Sequence, residues 1–124
     1  MITGVGIDIE EIGRIEEIVK RWGTQFLNRI FTKQEQQYCE AKPCPAQHYA
    51  ARFAAKEAFS KAIGTGWGEG FTWRDVEITN DDAGKPCIAV YNTLESTLEG
   101  AEVHVSISHS RSFVTSIVII ERNA

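Results

Sequence analysis

No run of consecutive apolar residues in this 124-residue chain is long enough to span a bilayer. The opening residues, Met1-Ile2-Thr3-Gly4, lack the basic start and long apolar stretch of a secretory signal. Cysteine is scarce, and Cys39, Cys44 and Cys87 form no CxxC pair and are odd in number, which argues against a disulfide framework or a structural zinc site. These absences set the expectation of a cytoplasmic protein with no membrane partner. An excess of positive charge is also missing. Thirteen Lys and Arg face 17 Asp and Glu, for a formal charge of -4, so the chain as a whole is not a basic nucleic-acid binder. Any acidic partner must therefore meet a local basic patch. No linker, repeat or low-complexity block is present. At 43% hydrophobic and 24% charged residues the composition is that of a globular protein, expected to form one domain over residues 1–124.

The pattern along the chain predicts a short apolar strand over Val5–Ile9. Ile12, Ile15, Ile18, Val19 and Trp22 then recur at helical spacing, predicting an amphipathic helix that ends near Gly23. A short helix follows from Thr24. Thr32 with Glu35 three residues on is a capping-box signature for a third helix, to about Ala41. Pro43 and Pro45 break it, and Ala46–Ile63 is the strongest helical stretch. It stops at Gly64-Thr65-Gly66-Trp67-Gly68-Glu69-Gly70, a loop whose glycines permit close approach to a ligand. Trp73–Thr79 and Cys87–Tyr91 read as a hairpin, Asn92–Leu98 as a short helix, and Val103–Ile107 with Phe113–Ile120 as a closing pair of strands. Helices come mostly first and strands mostly last, which predicts an α+β fold with helices packed on an antiparallel sheet.

Three clusters carry residues capable of chemistry. In Gly4-Val5-Gly6-Ile7-Asp8-Ile9-Glu10, a carboxylate on an apolar strand can sit at the floor of a site, or be a solvated charge at a strand end. In Arg52-Phe53-Ala54-Ala55-Lys56-Glu57-Ala58-Phe59-Ser60-Lys61, Glu57 and Lys61 stand four apart in the order that favours a surface ion pair. Arg52 and Lys56 stand four apart as well and concentrate positive charge. The plain alternative is a salt-bridged helix; the functional one is a metal carboxylate with a phosphate-binding lysine one turn on. In His104-Val105-Ser106-Ile107-Ser108-His109-Ser110, alternation puts His104, Ser106 and Ser108 on one face, which either meets water or lines a polar pocket.

Together the motifs GVGIDIEEIGRI, FAAKEAFSKAIGTG, GKP and HVSISHS, in that order over nearly the whole chain, resemble the short bacterial form of the holo-[acyl-carrier-protein] synthase family of 4′-phosphopantetheinyl transferases. The resemblance implies that fold, and a Mg²⁺-dependent transfer of 4′-phosphopantetheine from coenzyme A to a serine of apo acyl carrier protein, in fatty acid biosynthesis. It puts magnesium on Asp8 and Glu57 and a phosphate-steadying role on Lys61. The proton acceptor is either Glu57 or a metal-bound water near Asp8. It puts the nucleotide end of coenzyme A on Arg52, Ser60, Lys61, Gly64, Lys85, Pro86, His104 and Ser108. The family's carriers are acidic, and Arg14, Lys20, Arg21, Arg29 and Lys33 form a local basic stretch. Arg14 and Arg21 share a helix face with Ile18 between them. With Phe26 and Arg29 they make a candidate docking patch, diluted by Glu16 and Glu17. The family's homotrimer, with sites shared between subunits, is compatible with Val114, Ile117, Val118, Ile119 and Ile120 being apolar on both strand faces.

Three rivals remain. A transferase for the carriers of secondary metabolism is usually about twice this length. A coenzyme A or nucleotide binding module would not need Asp8 and Glu57 together. A magnesium-dependent phosphohydrolase would cleave coenzyme A without a carrier.

Overall fold

The computed structural model describes residues 1–65, 67 and 70–123. In chain order the elements are β1 (Ile2–Glu11), α1 (Ile12–Trp22), α2 (Thr24–Ile30), α3 (Lys33–Glu40), α4 (Pro45–Ile63), a 3-10 turn (Trp73–Asp75), β2 (Val76–Asn80), β3 (Pro86–Val90), α5 (Thr93–Thr97), β4 (Ala101–His109) and β5 (Phe113–Arg122). An antiparallel sheet in the order β1-β5-β4 packs one face on α4, and β2-β3 form a separate antiparallel hairpin. The α+β expectation holds. No helix among the described residues is long and apolar enough to cross a membrane.

Local signals place the helices. Thr32 Oγ1 accepts from the Glu35 amide at 3.2 Å and Glu35 Oε1 accepts from the Thr32 amide at 2.8 Å, completing the capping box of α3. Pro45 opens α4, where its missing N–H is no loss, and Gly64 closes it at φ +85°. The expected strand over 73–79 starts late. Thr72 and Asp75 form a second capping box, which winds Trp73–Asp75 into the 3-10 turn and delays the strand to Val76. The expected glycine-rich loop falls partly on residues 66, 68 and 69, outside the described residues.

β1 crosses α4 at its two glycines. A Cβ on Gly4 would run into the carbonyl oxygen of Ala62, and one on Gly6 into that of Ala58. Strand and helix therefore meet backbone to backbone, with the next inward residue of β1 being Asp8. Val114, Ser116, Val118 and Ile120 of β5 are buried on this same side. The core continues along α4 in two clusters. One joins Phe59 and Ala62 to Phe71, Ile78 and Leu94, and the other joins Tyr49 and Ala54 to Ile15, Ile30 and Phe31.

The plain reading of this stretch as a salt-bridged helix with surface pairs does not describe Lys56, whose ion pair is buried and runs to another helix. Its side chain is fully buried, and Nζ donates to Glu35 Oε1 at 2.7 Å, the Ile30 carbonyl at 2.7 Å and the Trp73 carbonyl at 3.0 Å. Glu35, equally buried, also accepts from the Ile78 amide at 2.8 Å. One ion pair thus ties α2, α3, α4, the 3-10 turn and β2 together.

Candidate active site

Asp8 projects from β1 towards α4, where Lys61 Nζ donates to its Oδ1 at 3.1 Å and to the Ile7 carbonyl at 2.9 Å. The expected Glu57–Lys61 surface pair is replaced by this one, because the glycine crossing brings Asp8 within reach of the lysine. Lys61 keeps about half its side chain in water (52%), while Asp8 keeps only 10%. The second oxygen, Asp8 Oδ2, is buried and meets no donor. A buried carboxylate oxygen without a partner is costly, so this atom marks a place for a proton or a cation.

Glu10 is a member of this site that the sequence reading passed over. It follows Gly4, Gly6 and Asp8 on the inward face of β1, and that alternation was the available signal. Burial, then closeness to Asp8 both as a hydrogen-bonding carboxyl and as a like charge, pushes the Glu10 carboxyl up to about 8; the Arg14 guanidinium opposes this and Glu57 adds to it. Glu57 lies one helical turn before Lys61, the residue that holds Asp8. With every carboxylate ionised, Asp8 Oδ2 lacks a donor; a proton on Glu10 or a divalent cation supplies what is missing.

A pH dependence follows. The Glu10 carboxyl, pulled up from 4.5, holds a proton in the folded chain that the unfolded chain has already lost. Its contribution is full below 4.5 and declines as pH rises towards 8. The melting temperature of the chelator-treated protein should therefore fall between about pH 5 and pH 8, and Glu10→Gln should flatten that slope. Melts of both forms across the range check this; equal slopes would remove Glu10 as the cause.

Glu57, half-buried on α4, accepts from the indole N–H of Trp67 at 3.0 Å. Ser60 turns inward on its own helix, its hydroxyl donating to the Glu57 carbonyl at 2.8 Å. Arg52 is buried, lies 4.0 Å over the Tyr38 ring and donates to Asn80 Oδ1 at 2.9 Å, while its Nε meets no acceptor. Asn80 in turn donates to the Gly84 carbonyl, and the turn carrying exposed Lys85, just before half-buried Pro86 of β3, is pinned by Asp81. The structure thus joins Asp8 to Lys61, with Glu57 one turn away on the same helix as the lysine, and sets Arg52 beside the 81–85 turn.

His104 and Ser108 do not join them within one chain. They are exposed on the face of the sheet opposite α4, where Ser106 and Ser108 line, with Ile7, Thr115 and Ile117, a shallow cleft of about 170 Å³. His104 Nε2 lies 3.1 Å from Glu121 and 3.7 Å from Glu102. These three offer ligand atoms within 4.8 Å of one another, but an imidazole among exposed carboxylates suits a transition ion better than magnesium. Beside them on the same face Val5, Ile7, Ile9 and Phe113 are exposed.

The basic stretch lies elsewhere. Ile18, Phe26 and Arg29 line, with Trp22 and Gln25, an open groove of about 350 Å³ between α1 and α2. Arg21 stacks its guanidinium 5.4 Å from the Trp22 ring, and exposed Arg14 reaches back to Glu10 at 3.9 Å.

A sequence model of the 4'-phosphopantetheinyl transferase superfamily matches residues 4–118. The chain is 46% identical over 119 residues to a holo-[acyl-carrier-protein] synthase of Protochlamydia amoebophila, covering 96% of this chain and 98% of the relative. Its fold is similar to a crystal structure of the holo-[acyl-carrier-protein] synthase from Neisseria meningitidis, with a TM-score of 0.91, 36% identity, and coverage of 98% of this chain and 100% of that one. It is also similar to a Bacillus anthracis holo-(acyl-carrier-protein) synthase in complex with CoA (3',5'-ADP), with a TM-score of 0.83, 39% identity, and coverage of 99% of each chain.

Proposed function

The chain belongs to the holo-[acyl-carrier-protein] synthase family of the 4′-phosphopantetheinyl transferase superfamily, and from that premise we propose that it transfers the 4′-phosphopantetheine group of coenzyme A to a serine of an apo acyl carrier protein. Among the observations of this chain, the one that carries the reading is the buried, donor-less Oδ2 of Asp8, set beside the ammonium of Lys61, which follows Glu57 by one turn of α4. That donor set fits magnesium, which takes hard oxygen ligands and completes its shell with phosphate and water. Asp8 and Glu57 would hold it, and when bound it would neutralise the diphosphate of coenzyme A and orient it for attack.

The carrier serine oxygen attacks the β-phosphate. A new P–O bond forms, the bond to the bridging oxygen breaks, and the electron pair leaves with adenosine 3′,5′-bisphosphate. The serine proton goes to the Glu57 carboxylate or to a water beside Asp8. Lys61, half in solvent and already aimed at this spot, stabilises the charge that develops on the departing phosphate. Arg52, Ser60, Gly64, Lys85 and Pro86 take the nucleotide end. His104 and Ser108 serve a neighbouring subunit's site, in a homotrimer built on the outer sheet face. Support for that assembly is the exposed apolar set Val5, Ile7, Ile9 and Phe113, a face that water solvates poorly. Arg14, Ile18, Arg21, Phe26 and Arg29 receive the acidic carrier, and the groove between α1 and α2 gives its apolar side chains a seat. The setting is fatty acid biosynthesis in the cytoplasm.

The test is direct. Coenzyme A, Mg²⁺ and an apo acyl carrier protein are incubated with the protein and the carrier is weighed by mass spectrometry. A gain equal to phosphopantetheine is expected, and it should vanish with chelator. Cleavage of coenzyme A with no carrier present would show a hydrolase instead. Binding with neither product would show a binding module.

A further inference from the structure

We infer that Trp67 is a positioning residue for Glu57, its indole N–H fixing one carboxylate oxygen so that the other is presented to the divalent cation; this rests on the ligand role proposed above for Glu57. The donor lies 3.0 Å from Glu57 Oε1, and no other side chain among the described residues bonds that carboxylate. Two contacts hold the ring that carries the donor. Trp67 stacks on Trp73 with centroids 4.0 Å apart and 21° between planes, and meets Phe71 edge-on at 5.2 Å. Trp73 in turn stacks on Phe53 of α4 at 5.2 Å and 17°, and its carbonyl accepts from buried Lys56. The aromatic column therefore starts and ends on α4, four residues from Phe53 to Glu57, and closes a ring of contacts around the ligand.

An indole is suited to this task because it is a donor only. It cannot take the metal itself, and it cannot turn an acceptor towards an ionised carboxylate. Partners of this kind, bonded to a ligand rather than to the ion, set the ligand's orientation and commonly change metal affinity by about 10–100-fold when lost.

Trp67→Phe keeps an aromatic ring for the column and removes the donor. Trp73→Phe trims the same column but leaves Trp67 a ring to stack on and its donor in place, and is the packing control. Each is titrated with MgCl₂ as the complex with coenzyme A, by calorimetry, beside the unmodified protein and Glu57→Gln. Trp67→Phe should weaken Mg²⁺ binding about tenfold, with its melting temperature close to that of Trp73→Phe and with Trp73→Phe binding Mg²⁺ normally. In the transfer assay the loss should be recovered by raising Mg²⁺. Unchanged Mg²⁺ affinity in Trp67→Phe, with Glu57→Gln impaired, would overturn the inference and leave the function standing. Equal loss in Trp73→Phe would overturn it in favour of packing alone. Normal Mg²⁺ binding by Glu57→Gln would remove the ligand role and the inference with it.

Discussion

Glu57→Gln should leave the chain folded and slow phosphopantetheine transfer by at least about a hundredfold, the lower end of what a positioned base contributes. The substitution preserves volume, and the glutamine carbonyl oxygen can still accept from the Trp67 indole, so the packing of α4 is undisturbed. What disappears is one negative charge. If Glu57 binds the ion, the amide is the poorer ligand; if it takes the serine proton, the amide has no basicity to do so. Asp8→Asn should fall in the same direction, because Lys61 would lose the charge it faces at 3.1 Å and the buried oxygen would lose its appeal to a cation. Initial rates of carrier mass gain, with circular dichroism melts alongside, give the comparison. A near-normal rate for Glu57→Gln at saturating Mg²⁺ would strip the residue of the base role, and an unchanged Mg²⁺ requirement would strip it of the ligand role as well.

Lys56→Met should be the most damaging substitution to the fold, costing about 3–5 kcal/mol. Methionine fits the stem of the lysine, but the ammonium's three acceptors lose their donor at once. Glu35 would keep its bonds from Thr32 and Ile78 but stay buried as an uncompensated charge. Burial already pulls the Lys56 ammonium below the ordinary lysine range, with Glu35 opposing that pull. The pair holds together because its geometry satisfies both ends. Against a net stability of roughly 5–15 kcal/mol for a domain, that loss is large. Glu35→Gln combined with Lys56→Met should cost less than the two changes added, since the second removes the charge the first leaves stranded. Urea unfolding of the two single variants and the double variant measures the coupling. Additive losses would mean that the pair does not act as a unit.

The contrast between Lys56 and Glu57 shows how far the sequence carries. Both sit in one helical stretch, adjacent, and periodicity assigns each to a face without saying what lies opposite. The helices were legible because their signals are local: Thr32 with Glu35, Pro45 at an N-terminus, Gly23 and Gly64 at C-termini. The α+β class followed from their order. The pairing of β1 with β5 was not legible, because Ile7 and Ile117 meet across most of the chain and nothing near either residue announces the other. That pairing is what turns Asp8 inward. The switch of Lys61 from Glu57 to Asp8 was hidden for the same reason. Asp8, Glu57 and Lys61 were singled out through the resemblance, while their neighbours Glu10 and Trp67 were missed. Glu10 closes the first cluster, and the alternation that carries it inward with Asp8 needed the strand's buried face to be known. Trp67 stood among glycines, where a loop assignment gives no direction to a side chain.

The bare contact of β1 with α4 at Gly4 and Gly6 sets a boundary for anyone redesigning this scaffold. Most layered proteins can be retuned by trading one interlayer side chain for another and letting the gap widen or narrow. Here there is no spacer to trade. A single added methyl at either glycine pries the layers apart and moves the carboxylate next in line. Combinatorial libraries should therefore treat positions 4 and 6 as fixed.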